Sequence, residues 1–371
     1  MLNGHRSLDK VTLTQFRNHG DTRIEGARQF NLLVGENGAG KTNVLEAISL
    51  LAPGRGLRRA SLADMAAQQG PGGFAVSALL ATGDGEPVGL GTGSEAQRPG
   101  KRLVQVNGAA SPANRLAEWL SVGWLTPAMD RLFAEGAGAR RRFLDRLVLA
   151  FSPGHAVMAS RLEKALSERN RMLSDPREPD PQWLDAIEAQ IAEAGSAVAA
   201  ERARVVEALA GALAQLPCEP FALPRLAYQP GGPLESAALA DALRQGRGLD
   251  RSAGRTLTGP HRDELAVTMA SKGQPAADCS TGEQKAMLIA IVLAHSQLLE
   301  DDGGTASRPR VLLLDEVAAH LDPLRREALF DRLRQGKAQV WLTGTERAPF
   351  AAIEGEMAVW EVSGGTVERV D

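Results

Sequence analysis

Cysteine is nearly absent: Cys218 and Cys279 are the only two among 371 residues, far apart and without the spacing of a metal site or a redox pair. A disulfide framework is excluded, and a reducing, cytoplasmic setting is expected. Long hydrophobic runs are missing as well. The longest uninterrupted apolar stretch, Ala286 to Ala294, falls far short of the roughly 20 residues of a membrane helix. The opening MLNGHRSLDK lacks the apolar segment of a secretory signal, so no membrane partner is expected. Net positive charge is also lacking, since 42 Lys and Arg face 45 Asp and Glu for a formal charge of −3. That excludes a protein that coats nucleic acid through its overall charge, and leaves only local basic strips for such a role.

What is present describes a globular chain long enough for two domains, with 43% hydrophobic and 23% charged residues. Residues 1–125 read as strand-rich. Val11 to Leu13 and Phe30 to Val34 are short β runs, and Lys41 to Leu51 reads as a helix. Gly73 to Thr82, Val88 to Thr92 and Arg102 to Val106 form an expected antiparallel meander. From Arg140 to Leu216 the periodicity is helical. Ile187, Ile191, Ala194 and Val198, then Val205, Leu209, Leu213 and Leu216, make one stripe. Pro176, Pro179 and Pro181 mark a turn between two long helices. Later, Val311 to Leu314 and Gln339 to Thr343 read as buried parallel strands. The outline is an α/β head, residues 1–125 and 256–371, split by a helical arm over 126–255.

Gly35-Glu36-Asn37-Gly38-Ala39-Gly40-Lys41-Thr42 fits G-x-x-x-x-G-K-[ST] at every fixed position, after a strand and at the start of a helix. Each residue type has a task. Glycines let backbone N–H groups converge on a phosphate, Lys41 bridges β- and γ-oxygens, and the Thr42 hydroxyl reaches Mg²⁺. ATP is the expected ligand. The run Val311 to Leu314 ends in Asp315-Glu316. Asp315 is placed to hold Mg²⁺ opposite Thr42, and Glu316 to polarise an attacking water as general base. Just downstream, Asp322, in Ala319-His320-Leu321-Asp322, is a candidate linker between nucleotide sites, and His320 has no His or Cys neighbour for a metal site. Cys279-Ser280-Thr281-Gly282-Glu283-Gln284-Lys285 precedes an apolar helix, where Ser280 reads locally as a helix cap followed by a turn.

A phosphate loop, a long insertion, Ser280 to Gln284, then a strand ending in Asp-Glu is the order of ABC-type ATPases. The sequence resembles the bacterial RecF family over nearly its whole length. The resemblance is carried by Leu13 to His19, Gly35 to Ile48, Gly54 to Arg58, Leu125 to Pro127, Arg140 to Asp145, Thr258 to Asp263, Ser280 and Asp315-Glu316. It implies a discontinuous ABC-type head and an ATP-dependent homodimer in which Ser280 and Gly282 of one subunit dock on the nucleotide of the other. It also implies binding to single-stranded, gapped or junction DNA, and work with RecO and RecR in loading recombinase during repair, replication and the SOS response. By the same resemblance Arg17 lies beside the base, where it contacts adenine or forms a structural ion pair. The chain departs from the pattern at Ala128 after Thr-Pro, at His19 in place of Tyr, and at Thr343-Gly344-Thr345 where a switch histidine is usual. No Q-loop glutamine stands out. These departures imply slow hydrolysis.

The charge for DNA is local. Arg140 to Arg171 carries a balance of +5, Arg244 to Arg262 one of +4, and Arg55, Arg58 and Arg59 follow the first helix. Solvated faces or internal ion pairs are the competing use of these strips. Phe143 and Phe151 are the few aromatics near them, so backbone contact rather than base stacking is expected. An SMC clamp fits less well, because the span from Lys41 to Ser280 leaves no room for a long coiled coil. A transporter ATPase and a nucleotide-gated scaffold with little hydrolysis are the other classes.

Overall fold

The computed structural model describes residues 7–81, 85–177, 179–217, 219–301, 308–318 and 321–371. Thr82, Cys218, Ala319 and His320 lie outside them. The chain forms two compact units, Met1–Met129 with Leu299–Asp371, and Asp130–Leu298. The first unit opens with β1 (Ser7–Phe16), β2 (His19–Glu25), β3 (Phe30–Val34), α1 (Lys41–Ser49), α2 (Leu62–Met65), β4 (Gly73–Ala81), β5 (Val88–Glu95), β6 (Arg98–Val106), β7 (Ala109–Ala110) and β8 (Ser121–Leu125). The second holds α3 (Ala137–Phe151), α4 (His155–Ser174), α5 (Pro181–Ala214), β9 (Pro224–Gln229), α6 (Ser236–Ala253), β10 (Glu264–Met269) and most of α7 (Thr281–Asp301). The first unit resumes with β11 (Arg310–Leu314), α8 (Pro323–Gln335), β12 (Gln339–Gly344), β13 (Met357–Ser363) and β14 (Thr366–Arg369).

Two sheets build the first unit. One is antiparallel in the order β2-β1-β4-β5-β6-β7, and contains the expected meander. Its strand β2 is not legible from the sequence, because Ile24 is the one large aliphatic side chain among its inward-facing positions. The other sheet runs β14-β13-β3-β12-β11-β8. From β13 through β8 its pairings are parallel, with Val311 opposite Gln339 and Val340 opposite Phe30. Strands covered on both faces read as continuous apolar runs, and Val311 to Leu314 are all buried. Helix α1 lies between the sheets: Val44, Leu45 and Ile48 share one core with Val11, Leu13 and Val76 of the first sheet and Leu33, Leu313 and Trp341 of the second.

In the second unit α4 and α5 form the expected hairpin. Asp180 caps α5 by accepting from Gln182 N at 2.8 Å, with Pro181 in the first turn. Ile191, Ala194 and Val198 pack with Leu162 and Leu166 of α4 and Leu239 and Leu243 of α6. Strand β9 lies within the expected helical arm, beyond the stretch of helical periodicity, and pairs antiparallel with β10. A buried ionic cluster crosses this core. The Arg169 guanidinium, 0% exposed, donates to Glu188, Asp250, Thr256 and the Leu243 carbonyl.

Candidate functional site

The phosphate loop joins β3 to α1. Gly38 and Gly40 have φ of +84° and +119°, conformations that L side chains rarely adopt. A Cβ on Gly38 would meet nothing within 4 Å, whereas one on Gly40 would stand 2.8 Å from Asn18 and His19. The loop is thus open above Gly38 and tightly backed below Gly40. No side chain caps α1, so its first-turn N–H groups keep the positive end of the helix available to an anion. The Lys41 side chain bends back over the loop, its Nζ donating to the carbonyls of Gly35 at 2.6 Å and Glu36 at 2.8 Å. Burial holds this ammonium below its ordinary pKa, against the pull of Glu316 and Asp315.

The two halves of the expected site meet. Thr42 Oγ1 donates to Asp315 Oδ1 at 2.8 Å, across 273 positions of sequence. Thr343, at the end of β12, donates to the same oxygen at 2.9 Å and accepts from Glu316 N at 2.9 Å. Burial pushes the Asp315 carboxyl above its usual value, while the two hydroxyls pull it down and Glu316 adds to the rise. Glu316 has φ of +53°, a strained backbone for a residue with a Cβ and a recurrent feature of functional positions. Among the described residues no three His, Cys, Asp or Glu side chains gather as a metal cage. The hydroxyl and carboxylate pair nevertheless fits Mg²⁺, a hard cation usually held by one or two protein oxygens plus substrate phosphates.

Arg17 adopts the ion pair, one of the two roles open to it from the sequence. Its Nε and Nη2 donate to the two oxygens of Glu46 at 2.9 and 2.8 Å, and Arg58 donates to the same carboxylate at 3.1 Å. Glu46, wholly buried on α1, was not singled out in the sequence, although a charge among Val44, Leu45 and Ile48 was the available signal. Asn18 donates to the Ala39 carbonyl at 2.9 Å, and His19 Nε2 lies 3.1 Å from the Gly40 carbonyl. His19 therefore buttresses the loop, and burial lowers its pKa. Downstream, Asp322 caps α8 by accepting from Arg325 N at 3.0 Å.

Ser280 and Gly282 belong to the second unit. Ser280 N donates to Glu283 Oε2 at 3.0 Å while Glu283 N donates back to Ser280 Oγ at 3.4 Å, a reciprocal cap at the start of α7. Both Ser280 and Gly282 are exposed, and a Cβ on Gly282 would meet nothing within 4 Å. The arginine strips are largely spent inside the unit. Arg140 pairs with Glu264, Arg169 with Glu188 and Asp250, Arg171 with Glu168, and Arg244 and Arg247 with Asp185. Arg141 and Arg251 donate to backbone carbonyls. Arg142, Arg161, Lys164, Arg255 and Arg262 are exposed and make no ion pair among the described residues.

Residues 7–367 match the model of the RecF/RecN/SMC N terminal domain. A DNA replication and repair protein RecF of Mesorhizobium japonicum is 49% identical over 374 residues, covering 97% of each chain. One of Caulobacter vibrioides is 45% identical, covering 94% of each. A solved structure of the recombination mediator protein RecF with ATP superposes with a TM-score of 0.85 at 22% identity, over 100% of this chain and 99% of that one. An Smc head domain from Pyrococcus furiosus gives 0.56 at 15% identity, over 98% of this chain and 96% of that one.

Proposed function

This chain belongs to the RecF family and is a protein of DNA replication and repair, and from that premise we propose that ATP closes two copies of it over DNA. The observation that carries this reading is the hydrogen bond from Thr42 to Asp315, which joins the phosphate loop to the acidic strand as an Mg²⁺–ATP site requires. Lys41 would leave the Gly35 and Glu36 carbonyls for the β- and γ-phosphates, with Gly35 to Thr42 cradling the nucleotide. Thr42 and Asp315 would hold Mg²⁺, which neutralises phosphate charge when bound. Ser280 and Gly282 of the second copy would complete the site. Residues 1–125 and 256–371 then act as the ATPase head, with 126–255 as the arm.

Glu316 is the proposed base for hydrolysis. Replacing it by glutamine keeps the hydrogen-bonding shape and removes proton acceptance, so turnover should fall by about 10²–10⁴-fold while the ATP-dependent dimer persists for longer. Sedimentation after ATP is exhausted checks this, and a Glu316→Gln dimer that decays at the wild-type rate argues against the role. Thr343, standing at the end of β12 where a switch histidine is usual, supports slow turnover. That favours a second reading, a nucleotide-gated scaffold with little hydrolysis, which phosphate release with and without DNA separates from an ATPase.

DNA would be held by its backbone, and single-stranded, gapped or junction DNA, RecO and RecR are the expected partners by family. The five exposed cations of the two strips that make no ion pair among the described residues set the scale. At about 0.9 log unit of affinity per log unit of salt for each phosphate neutralised, they contribute a slope of at most about 4–5 per protomer. Filter binding or anisotropy across a salt series measures it, and salt-insensitive binding would remove the electrostatic account. Among the described residues no helix is long and apolar enough to cross a membrane.

A further inference from the structure

The Glu283 carboxylate, three residues after Ser280, is bound on three sides. Its Oε1 accepts from Lys272 Nζ at 2.5 Å, and its Oε2 accepts from Ser280 N and Ser280 Oγ, both at 3.0 Å. The Lys272 bond first, then those from Ser280, hold this carboxyl at about 2, so it is a full anion at any physiological pH. Lys272 stands just beyond β10 with half its side chain exposed.

A serine hydroxyl has one proton, and here it is spent on Glu283. For Ser280 to donate to a phosphate, the hydroxyl must turn away from a carboxylate, and the phosphate must settle beside that carboxylate. Like charges brought together at an interface cost several-fold to many-fold in affinity. The only cation paired with Glu283 among the described residues is Lys272. We propose that Lys272 is a positioning residue for the composite nucleotide site: it cancels the charge of Glu283 and weakens its hold on the Ser280 hydroxyl, so that the triphosphate bound by an opposing copy can take that hydrogen bond. This inference rests on the role given to Ser280 under the proposed function and adds the residue that makes the role electrostatically feasible.

The experiment compares wild type, Lys272→Ala, Glu283→Gln and the double variant by sedimentation or mass photometry with Mg²⁺–ATP, across protein concentration. Glutamine at 283 can still close the cap, so α7 keeps its start. Lys272→Ala should weaken ATP-dependent dimerisation about tenfold or more, and adding Glu283→Gln should restore it to within about threefold of wild type. Lys272→Met, which keeps the aliphatic stem, replaces Lys272→Ala if the melting curve of the latter shows loss of fold. Two results overturn the inference: a lysine variant that dimerises like wild type, or a double variant as weak as the lysine variant alone, which would make Lys272 a simple brace of the turn. A wild-type chain that stays monomeric with ATP overturns the composite-site reading itself, and this inference with it.

Discussion

Lys41→Ala is expected to remove nucleotide binding and, with it, every nucleotide-dependent dimer. Lys41 is 4% exposed, and its ammonium donates to the loop carbonyls of Gly35 and Glu36. Asp315 and Glu316 both attract it. Without it, a triphosphate would enter a site whose nearby side-chain charges include two carboxylates. Truncating one member of a buried, hydrogen-bonded charge pair costs about 2–5 kcal/mol, or roughly 30- to several-thousand-fold in ATP affinity. Arginine should rescue poorly, because a planar fork does not replace a compact ammonium folded over a loop. Titration with a fluorescent nucleotide reads the affinity and sedimentation reads the dimer. A Lys41→Ala chain that still dimerises with wild-type dependence on ATP would refute the site.

The second large effect is on stability. Arg169→Met should destabilise the second unit by about 3–5 kcal/mol, since it strips the cation from a buried ionic cluster and leaves carboxylates behind. The two carboxylates are not equally exposed to the loss. Glu188 keeps Arg247, which donates to it at 2.6 Å. Asp250 loses its 2.6 Å bond from Arg169 and keeps the Leu257 N–H at 2.9 Å, so its charge is left unmatched inside the protein. Asp250→Asn in the Arg169→Met background should therefore recover part of the loss. Urea unfolding measures both, with an expected midpoint shift of roughly 1–2 M for a slope of about 2–3 kcal/mol/M. An unchanged midpoint in Arg169→Met would mean that water or a rearranged arginine reaches Asp250.

Local patterns carried most of the site. The phosphate loop, the acidic strand and the cap at Ser280 are contiguous, and each has a residue order that a single physical task explains. What stayed hidden depends on pairings distant in sequence. Glu46 reads as an ordinary helix residue until Arg17 and Arg58 are folded against it. Thr343 reads as the end of an apolar strand until β12 places its hydroxyl between Asp315 and Glu316. The arginine strips show the opposite failure. Their local charge was correctly counted, but a count cannot tell that Arg140 and Arg169 face inward to Glu264, Glu188 and Asp250. Strand β9 was missed because six residues with a modest alternation are outweighed by the long helical stripes around them.

The position of β3 has a consequence for how the protein is made. Both its neighbours, β12 and β13, are synthesised about 300 residues later, and Gly365 N closes on the Ala39 carbonyl at 3.1 Å. The phosphate loop leaves the ribosome long before the strands that frame it. At about 5–20 residues per second, β3 waits for tens of seconds with both edges unpaired, while the second unit, complete by residue 298, has all its partners sooner. Contacts so distant in sequence form slowly. The nascent first unit is therefore the part of this protein that needs shelter from aggregation, and nucleotide can serve as a folding ligand only after the closing strands have emerged.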